Sequence, residues 1–331
     1  MIPVPEDIQK QLARAYGADQ LVHFGGGHEG SDGIVYAYPF DGDGWARRRL
    51  LKVMAIPAAE QERGLFCLEE RLRFMRAVGE QGAPVVYPQL SPQMRLYETA
   101  STADHLFVGY SMEIAPGKTP NSNCWDPAFF RRWGRLIGSL HRLSRLLPRW
   151  EASIFPATGE QVLTWKEEWQ GFGNWCKDEE VGERWREIGK MLETLPIERA
   201  SFGFIHNDPH IWNLLDDGQQ ITLLDFDVAN HHWFVTDISI ACQSVLFDIS
   251  GGMQRPLEYP DKLKSFLGYF REGYEQEHSL AEEWWQRLDL FIAYRRILLF
   301  IAMYDWICSK PDLFASWKRM ILAQPVLLGE M

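Results

Sequence analysis

A chain of 331 residues that is 46% hydrophobic and 13% aromatic carries enough apolar surface for two packed cores, which excludes a disordered or fibrous protein. Its formal charge of −11 divides into −3 over residues 1–111 (11 basic, 14 acidic) and −8 over residues 112–331 (23 basic, 31 acidic), so neither part offers nucleic acid a basic footprint. The five cysteines, Cys67, Cys124, Cys176, Cys242 and Cys308, stand singly with no CxxC pair, which argues against zinc or dithiol redox chemistry.

The start, MIPVPEDIQKQL, has no basic region followed by an apolar core, and the late apolar run LFIAYRRILLFIAMYDWI is interrupted by Arg295, Arg296 and Asp305. A soluble cytoplasmic protein with no membrane partner is expected. After the first helix come strand patterns: LVHF, a glycine-rich bend GGGHEGSDG, IVYAY, the twin turn DGDG, and RRLLKVMA, which read as an antiparallel meander. Leu65, Leu68, Leu72 and Met75 then step by 3, 4 and 3 residues, the spacing of one helix face. GAPVVYP and two further short strands lead to SMEIAPGK. Residues 1–111 should therefore form a small, mainly sheet lobe, with residues 112–118 as a connector.

Helical periodicity takes over from residue 119 to residue 331. DPAFFRRWGRLIGSLHRLSRLL places Asp126 at an N-cap and Pro127 at the first helical position, with Phe129, Trp133, Leu136, Leu140 and Leu143 on one stripe. An α+β fold of two lobes is the expected architecture.

The stretch HNDPHIWN sets His206, Asp208 and His210 at alternate positions. On a strand the three would leave one face together and suit a metal. In a loop, Asp208 suits a base and Asn213 a ligand of magnesium. The residues downstream favour the loop: a turn at Asp216, Asp217 and Gly218 makes a hairpin that returns through ITLLDF to Asp225, so Asp208, Asn213 and Asp225 are expected to converge. Phosphoryl transfer needs such a set, one carboxylate to orient and deprotonate the acceptor and two oxygen ligands for a hard cation. The small lobe supplies complementary parts. Glycines 25, 26, 27, 30 and 33, Gly26 and Gly27 above all, let backbone approach phosphates; Lys52 on the third strand reaches toward them; Glu70, or its neighbour Glu69, is expected to pair with Lys52; and Glu113 to Ala115 offer backbone groups to an adenine ring.

From GGGHEGSDGIVY through LLKVMA and MEIAPG to HNDPHIWNLL and LLDFDVANHHWFVTDI, the chain resembles the aminoglycoside phosphotransferase and choline kinase group of protein-kinase-like enzymes. The resemblance implies a protein-kinase-like two-lobe fold, ATP or GTP as phosphoryl donor with Mg2+, Asp208 as base, Asn213 as metal ligand, and Asp225 as the metal-binding Asp that heads a DFG-like triplet. It departs from the commoner pattern at Asn207, where glycine is frequent, at Pro209 and Trp212, and in a bend that does not read GxGxxG. A nucleotide-binding regulatory module of the same fold, or a protein Ser/Thr kinase, is the competing reading. His206 is expected to fix the loop backbone and Asp237 to anchor the loop from a helix start. The charge of −8 and the run Trp165, Trp169, Trp175 and Trp185 suit a cationic small-molecule acceptor, against the simpler reading that these rings pack a core.

Overall fold

The computed structural model describes residues 2–26, 33–40, 44–121, 125–147, 161–249, 260–323 and 328. The chain divides into two compact units, Met1–Pro116 with Leu224–Asp227, and Gly117–Leu223 with Val228–Met331.

The first unit is an antiparallel sheet with two helices. Its strands β1 (Val22–Gly26), β2 (Ile34–Pro39), β3 (Arg48–Pro57), β4 (Pro88–Gln89), β5 (Glu98–Ser101) and β6 (His105–Met112) run in the order β1-β2-β3-β6-β4, with β5 also on β6. Helix α1 (Glu6–Ala15) buries Ile8, Leu12 and Ala13 against Tyr16, Tyr38, Leu51, Val53, Ala100 and Phe107. The tyrosine hydroxyls in this core are satisfied: Tyr16 donates to the Gly109 carbonyl at 2.7 Å, and Tyr38 bonds Ser111 Oγ at 2.6 Å. Helix α2 (Gln61–Glu80) buries Leu68, Leu72 and Met75, three of the four positions expected to share a face; Leu65 is half-buried.

The second unit is mainly helical. Helix α3 (Pro127–Ser144) starts as its sequence dictates, with Asp126 accepting from the Phe129 amide at 2.7 Å and Pro127 in the first turn, where its missing N–H costs nothing. All five residues of its apolar stripe are buried. Further helices are α4 (Trp165–Trp175), α5 (Glu179–Glu193), α6 (Val235–Ile249), α7 (Pro260–Tyr274), α8 (Glu282–Gln286), α9 (Leu288–Ala302), α10 (Tyr304–Cys308) and α11 (Pro311–Ala323). Helices α3 and α7 pack so closely that a Cβ at Gly134 would sit 1.9 Å from the Phe270 carbonyl oxygen, and one at Gly273 2.0 Å from that of Arg131. Two short hairpin-like pairs complete the unit, β7 (Phe202–Ile205) with β10 (Asn230–Trp233) and β8 (Leu214–Asp216) with β9 (Ile221–Leu223). In the β8–β9 turn, Asp217 accepts from the Gln219 and Gln220 amides at 2.8 Å, and Gly218 takes a φ of +89°. Among the described residues, no helix is long and apolar enough to cross a membrane.

Candidate active site

Two charge centres stand out, one in each unit. In the first unit, Lys52 sits mid-strand in β3, opposite Val35 on β2 and Tyr110 on β6, with only 8% of its surface exposed. A buried ammonium needs partners. It has Asp225, at 2.9 Å, and Asp227, in direct contact. Burial works against its charge, but Tyr110, Asp227 and Asp225 more than reverse this and hold its pKa well above that of a free lysine. The Asp227 side chain is as buried as that of Lys52, whereas that of Asp225 is 46% exposed.

The Lys52–Glu70 pair expected from the sequence is not formed. Glu70 faces Arg73, one turn along α2, at 3.3 Å; Glu69 binds the same arginine at 2.7 Å and accepts from the Tyr97 hydroxyl at 2.5 Å. Two carboxylates closer to Lys52 already neutralise it, and Asp227 fills the role assigned to Glu70. Gly26 ends β1 at a φ of +74°, where a Cβ would lie 2.4 Å from the Gly33 carbonyl oxygen, so only glycine fits. Gly33 lies beside β3; a Cβ there would approach the Val53 carbonyl oxygen to 2.8 Å and Lys52 Cε to 3.5 Å. Gly27 and Gly30, and most of the DGDG turn, fall outside the described residues, as does Cys124. Past β6 the chain is irregular: Glu113 is exposed and bridges to Arg49 at 2.6 Å, and Ala115 is half-buried.

In the second unit, residues 206–210 form a loop between β7 and β8, followed by a single 3-10 turn at Ile211–Asn213, so the alternate-residue row of a strand does not arise. Among the described residues, no group of three His, Cys, Asp or Glu could hold a metal. The loop is built from Asp237, in the first turn of α6, whose Oδ2 and Oδ1 accept from the His206 and Asn207 amides at 3.1 and 2.7 Å. Its Oδ2 also meets His141 Nε2 at 3.1 Å, and His206 Nδ1 accepts from the Asp208 amide at 3.1 Å. Asn207 takes a φ of +64°, which accounts for an asparagine where glycine is otherwise common: both enter the left-handed region at low cost.

Asp208 is thereby presented between two basic groups. Arg295, from α9, contacts its Oδ1, and His210 Nε2 lies 3.3 Å from its Oδ2. Burial would raise this carboxyl, but Arg295 first, then His210 and His206, outweigh it and hold the pKa down to about 2. Asn213 Nδ2 donates to the Asp208 carbonyl at 3.0 Å. That bond commits the amide nitrogen inward and makes Oδ1 the atom left for a cation. Behind the loop, the half-buried Glu168 of α4 accepts from Tyr294 at 2.7 Å and Asn230 at 3.1 Å, and from Asn207 in a shorter contact. Burial raises its pKa, against the pull of those bonds.

Sequence reasoning did not pair Asp227 with Lys52, and it missed Glu168 and Arg295 as site residues. Only Arg295 had a signal, since a charge in the apolar run LFIAYRRILLF must find a partner to be buried. The tryptophan run is core for the most part. Trp165 and Trp185 are 2% and 1% exposed, Trp169 and Trp185 exchange indole-to-carbonyl bonds at 3.1 and 2.8 Å, and Trp185 stacks on Tyr294. Of the four, Trp175 alone is exposed. His231 and His232 are buried in β10, the latter bonded to Thr236 Oγ1 at 2.7 Å.

Residues 42–287 match the phosphotransferase enzyme family (APH), and the chain belongs to that family. Amicoumacin kinase of Bacillus subtilis (strain 168) is 29% identical over 199 residues, a match covering 58% of this chain and 56% of that protein, so the chain spans little more than half the length of this curated relative. The fold is shared with an amicoumacin kinase, hAmiN, solved in complex with AMP-PNP, Ca2+ and Ami (TM-score 0.80, 21% identity, 96% of this chain and 93% of that one). It is also shared with a microcompartment-associated aminopropanol kinase (TM-score 0.67, 19% identity, 95% and 97%) and with choline kinase from Cryptosporidium parvum Iowa II (TM-score 0.57, 14% identity, 92% and 88%). The architecture is thus that of the two-lobe kinase-like α+β proteins.

Proposed function

We propose that the protein is a magnesium-dependent kinase that moves the γ-phosphoryl group of ATP, with GTP the competing donor, to a hydroxyl of a small molecule. The observation that carries this reading is Asp208, held ionised by Arg295 and His210 on a loop anchored by Asp237, with Asn213 bonded to its backbone. A carboxylate with a pKa of about 2 is a weak base. Its work is to orient the hydroxyl and to take the proton late, as the loose transition state of phosphoryl transfer permits. The acceptor oxygen forms a bond to the γ-phosphorus, the bond from that phosphorus to the β,γ-bridging oxygen breaks, the proton passes to Asp208, and ADP leaves.

In this reading Lys52 binds phosphate oxygens, Gly26 and Gly27 bring backbone close to them, and Glu113 and Ala115 meet the adenine. Asn213 Oδ1 and the Asp225 carboxylate are each a hard oxygen donor of the kind that would suit magnesium. When bound, the ion neutralises phosphate charge. The names of the relatives, amicoumacin kinase and aminopropanol kinase, support a nitrogen-bearing small-molecule alcohol as acceptor. The test is a metabolite panel with magnesium and ATP, read as nucleotide consumption and as an added phosphoryl mass on the product, with protein serine and threonine substrates as controls. Transfer to protein alone, or to nothing, overturns the reading.

A further inference from the structure

Away from Asp208, the second unit holds a cavity of about 190 Å3 between α5, α9 and α11. Its walls are mostly apolar, with Ile188, Ala293, Ile297, Met320 and Ile321 among them. Ala293 and Ile297 stand two positions to either side of Arg295, and two positions turn a helix by about 200°. The cavity therefore lies across α9 from the side that meets Asp208, and it shares no residue with the candidate active site.

Arg296 gives this cavity its charge. The residue is 3% exposed, and burial lowers its pKa to about 10 against the pull of Asp289, which leaves it charged at neutral pH. Its Nε donates to Gln243 Oε1 at 3.2 Å, and its Nη2 is buried with no hydrogen-bond partner. Nη1 also makes no hydrogen bond among the described residues, yet it is not enclosed as Nη2 is. It keeps an accessible face on a side chain that lines the cavity. Among the described residues no acid forms an ion pair with Arg296; Asp289, on the same helix, accepts the Leu328 amide at 3.2 Å. Arg184 enters from α5, already bonded to Glu187. A buried guanidinium without an acid is costly, and an anion is the partner that answers both its charge and its planar N–H fork.

We propose that this cavity binds a small carboxylate with a compact apolar body, the carboxylate on Arg296 and the body against the aliphatic walls. Size sets the body, since an apolar cavity of ~150 Å3 accommodates a benzene ring. A bare inorganic anion would leave those walls uncovered, and a neutral apolar molecule would leave the guanidinium unpaired. The site stands independently of the kinase reading.

The test titrates benzoate, benzamide and acetate against the whole chain by ligand-observed NMR. Benzoate is expected to bind saturably. Benzamide, which keeps the ring without the charge, and acetate, which keeps the charge without the ring, should each bind at least ~10-fold more weakly. Arg296→Met should weaken benzoate by at least ~10-fold, the effect of losing a hydrogen bond to a charged group. Ala293→Leu fills the cavity and keeps the cation, and should weaken benzoate by a similar ~10-fold. Arg295→Gln, across the helix, should leave benzoate binding unchanged. No saturable benzoate binding up to ~10 mM overturns the proposal, as does equal affinity for benzamide. Undiminished binding in Arg296→Met or Ala293→Leu overturns it as well, and loss in Arg295→Gln places the anion at the active site instead. Should Arg296→Met fail to fold, Ala293→Leu and Arg295→Gln decide between them.

Discussion

In the first unit a single buried cation, Lys52, lies between two carboxylates, whereas in the second a single carboxylate, Asp208, lies between Arg295 and His210. Each functional charge meets two polar partners, and the second partner tells what each centre has left to offer. On the proposed reading, Asp225, the more exposed of the two acids on Lys52, would turn an oxygen to a metal while Asp227 keeps the lysine neutralised. A lone ion pair would have no such spare member, since recruiting either partner would strand a buried charge.

The largest effect separating the two units should be acid lability. His231, His232 and His278 all lie in the second unit and are at most 6% exposed, and burial lowers their pKa values to about 4, 3 and 4. Each is neutral when folded and takes up a proton on unfolding once the pH falls below about 6.5. The unfolded state then binds more protons, so the stability they allow is complete above that pH and is lost as pH drops from about 6.5 toward 4. Each contributes about 1.4 kcal/mol per pH unit in that window, or about 4 kcal/mol per unit for the three. The described histidines of the first unit, His23 and His105, are not buried. Urea unfolding followed by tryptophan fluorescence, with 13 of the 14 tryptophans after residue 111, should shift its midpoint sharply between pH 7 and pH 5; an unmoved midpoint would refute the account.

Breaking the first centre should come next. Lys52→Met leaves Asp227 buried beside an apolar chain and should cost about 3–5 kcal/mol of stability, the usual penalty for half of a buried pair. Asp225→Asn should cost far less stability, since that carboxylate is half exposed. Adding Asp227→Asn to Lys52→Met should restore part of the loss in a double-mutant cycle, and additive losses would show that the two side chains are not coupled.

Local rules made much of this molecule legible. The cap at Asp126, the stripe on α3, the meander of the first unit and the turn after β8 all follow from residues within a few positions of one another, where steric and hydrogen-bonding preferences act directly. The anchoring of the loop by Asp237 was legible as well, because an acid at a helix start has orphan amides to satisfy. What stayed hidden is partner choice across the chain. Lys52 and Asp227 are 175 residues apart, Arg295 and Asp208 are 87 apart, and Asn207 and Glu168 are 39 apart. No periodicity links such pairs; the fold decides which of several acids meets a given base. Glu70 illustrates the cost, being on a plausible helix yet spoken for by Arg73 one turn away.

The second centre gives a kinetic contrast with the first. Asp208→Asn should lower phosphoryl transfer by at least ~10²-fold with nucleotide affinity retained, because in the proposed mechanism this side chain meets the acceptor. Asp225→Asn should weaken magnesium-dependent nucleotide binding along with turnover. Calorimetry with and without magnesium separates them, and the same nucleotide affinity in both variants would remove Asp225 from the metal.

The smallest effect concerns how each unit starts its helices. Helix α1 follows Pro5 and has no side-chain cap, whereas α3 is capped by Asp126, whose carboxylate satisfies an otherwise orphaned amide at Phe129. Asp126→Ala should therefore cost about 1 kcal/mol, while Asp126→Ser, which keeps an acceptor, should cost a few tenths. Pro5→Ala removes no cap and should be close to neutral. The loss at α3 is local before it is global: the Phe129 amide and its neighbours in the first turn should exchange with solvent faster by roughly five- to tenfold, with the Gly134 and Gly138 contacts to α7 unaffected. Equal exchange in Asp126→Ala and the parent protein would mean that the packing of α3 against α7, not its cap, fixes where the helix begins.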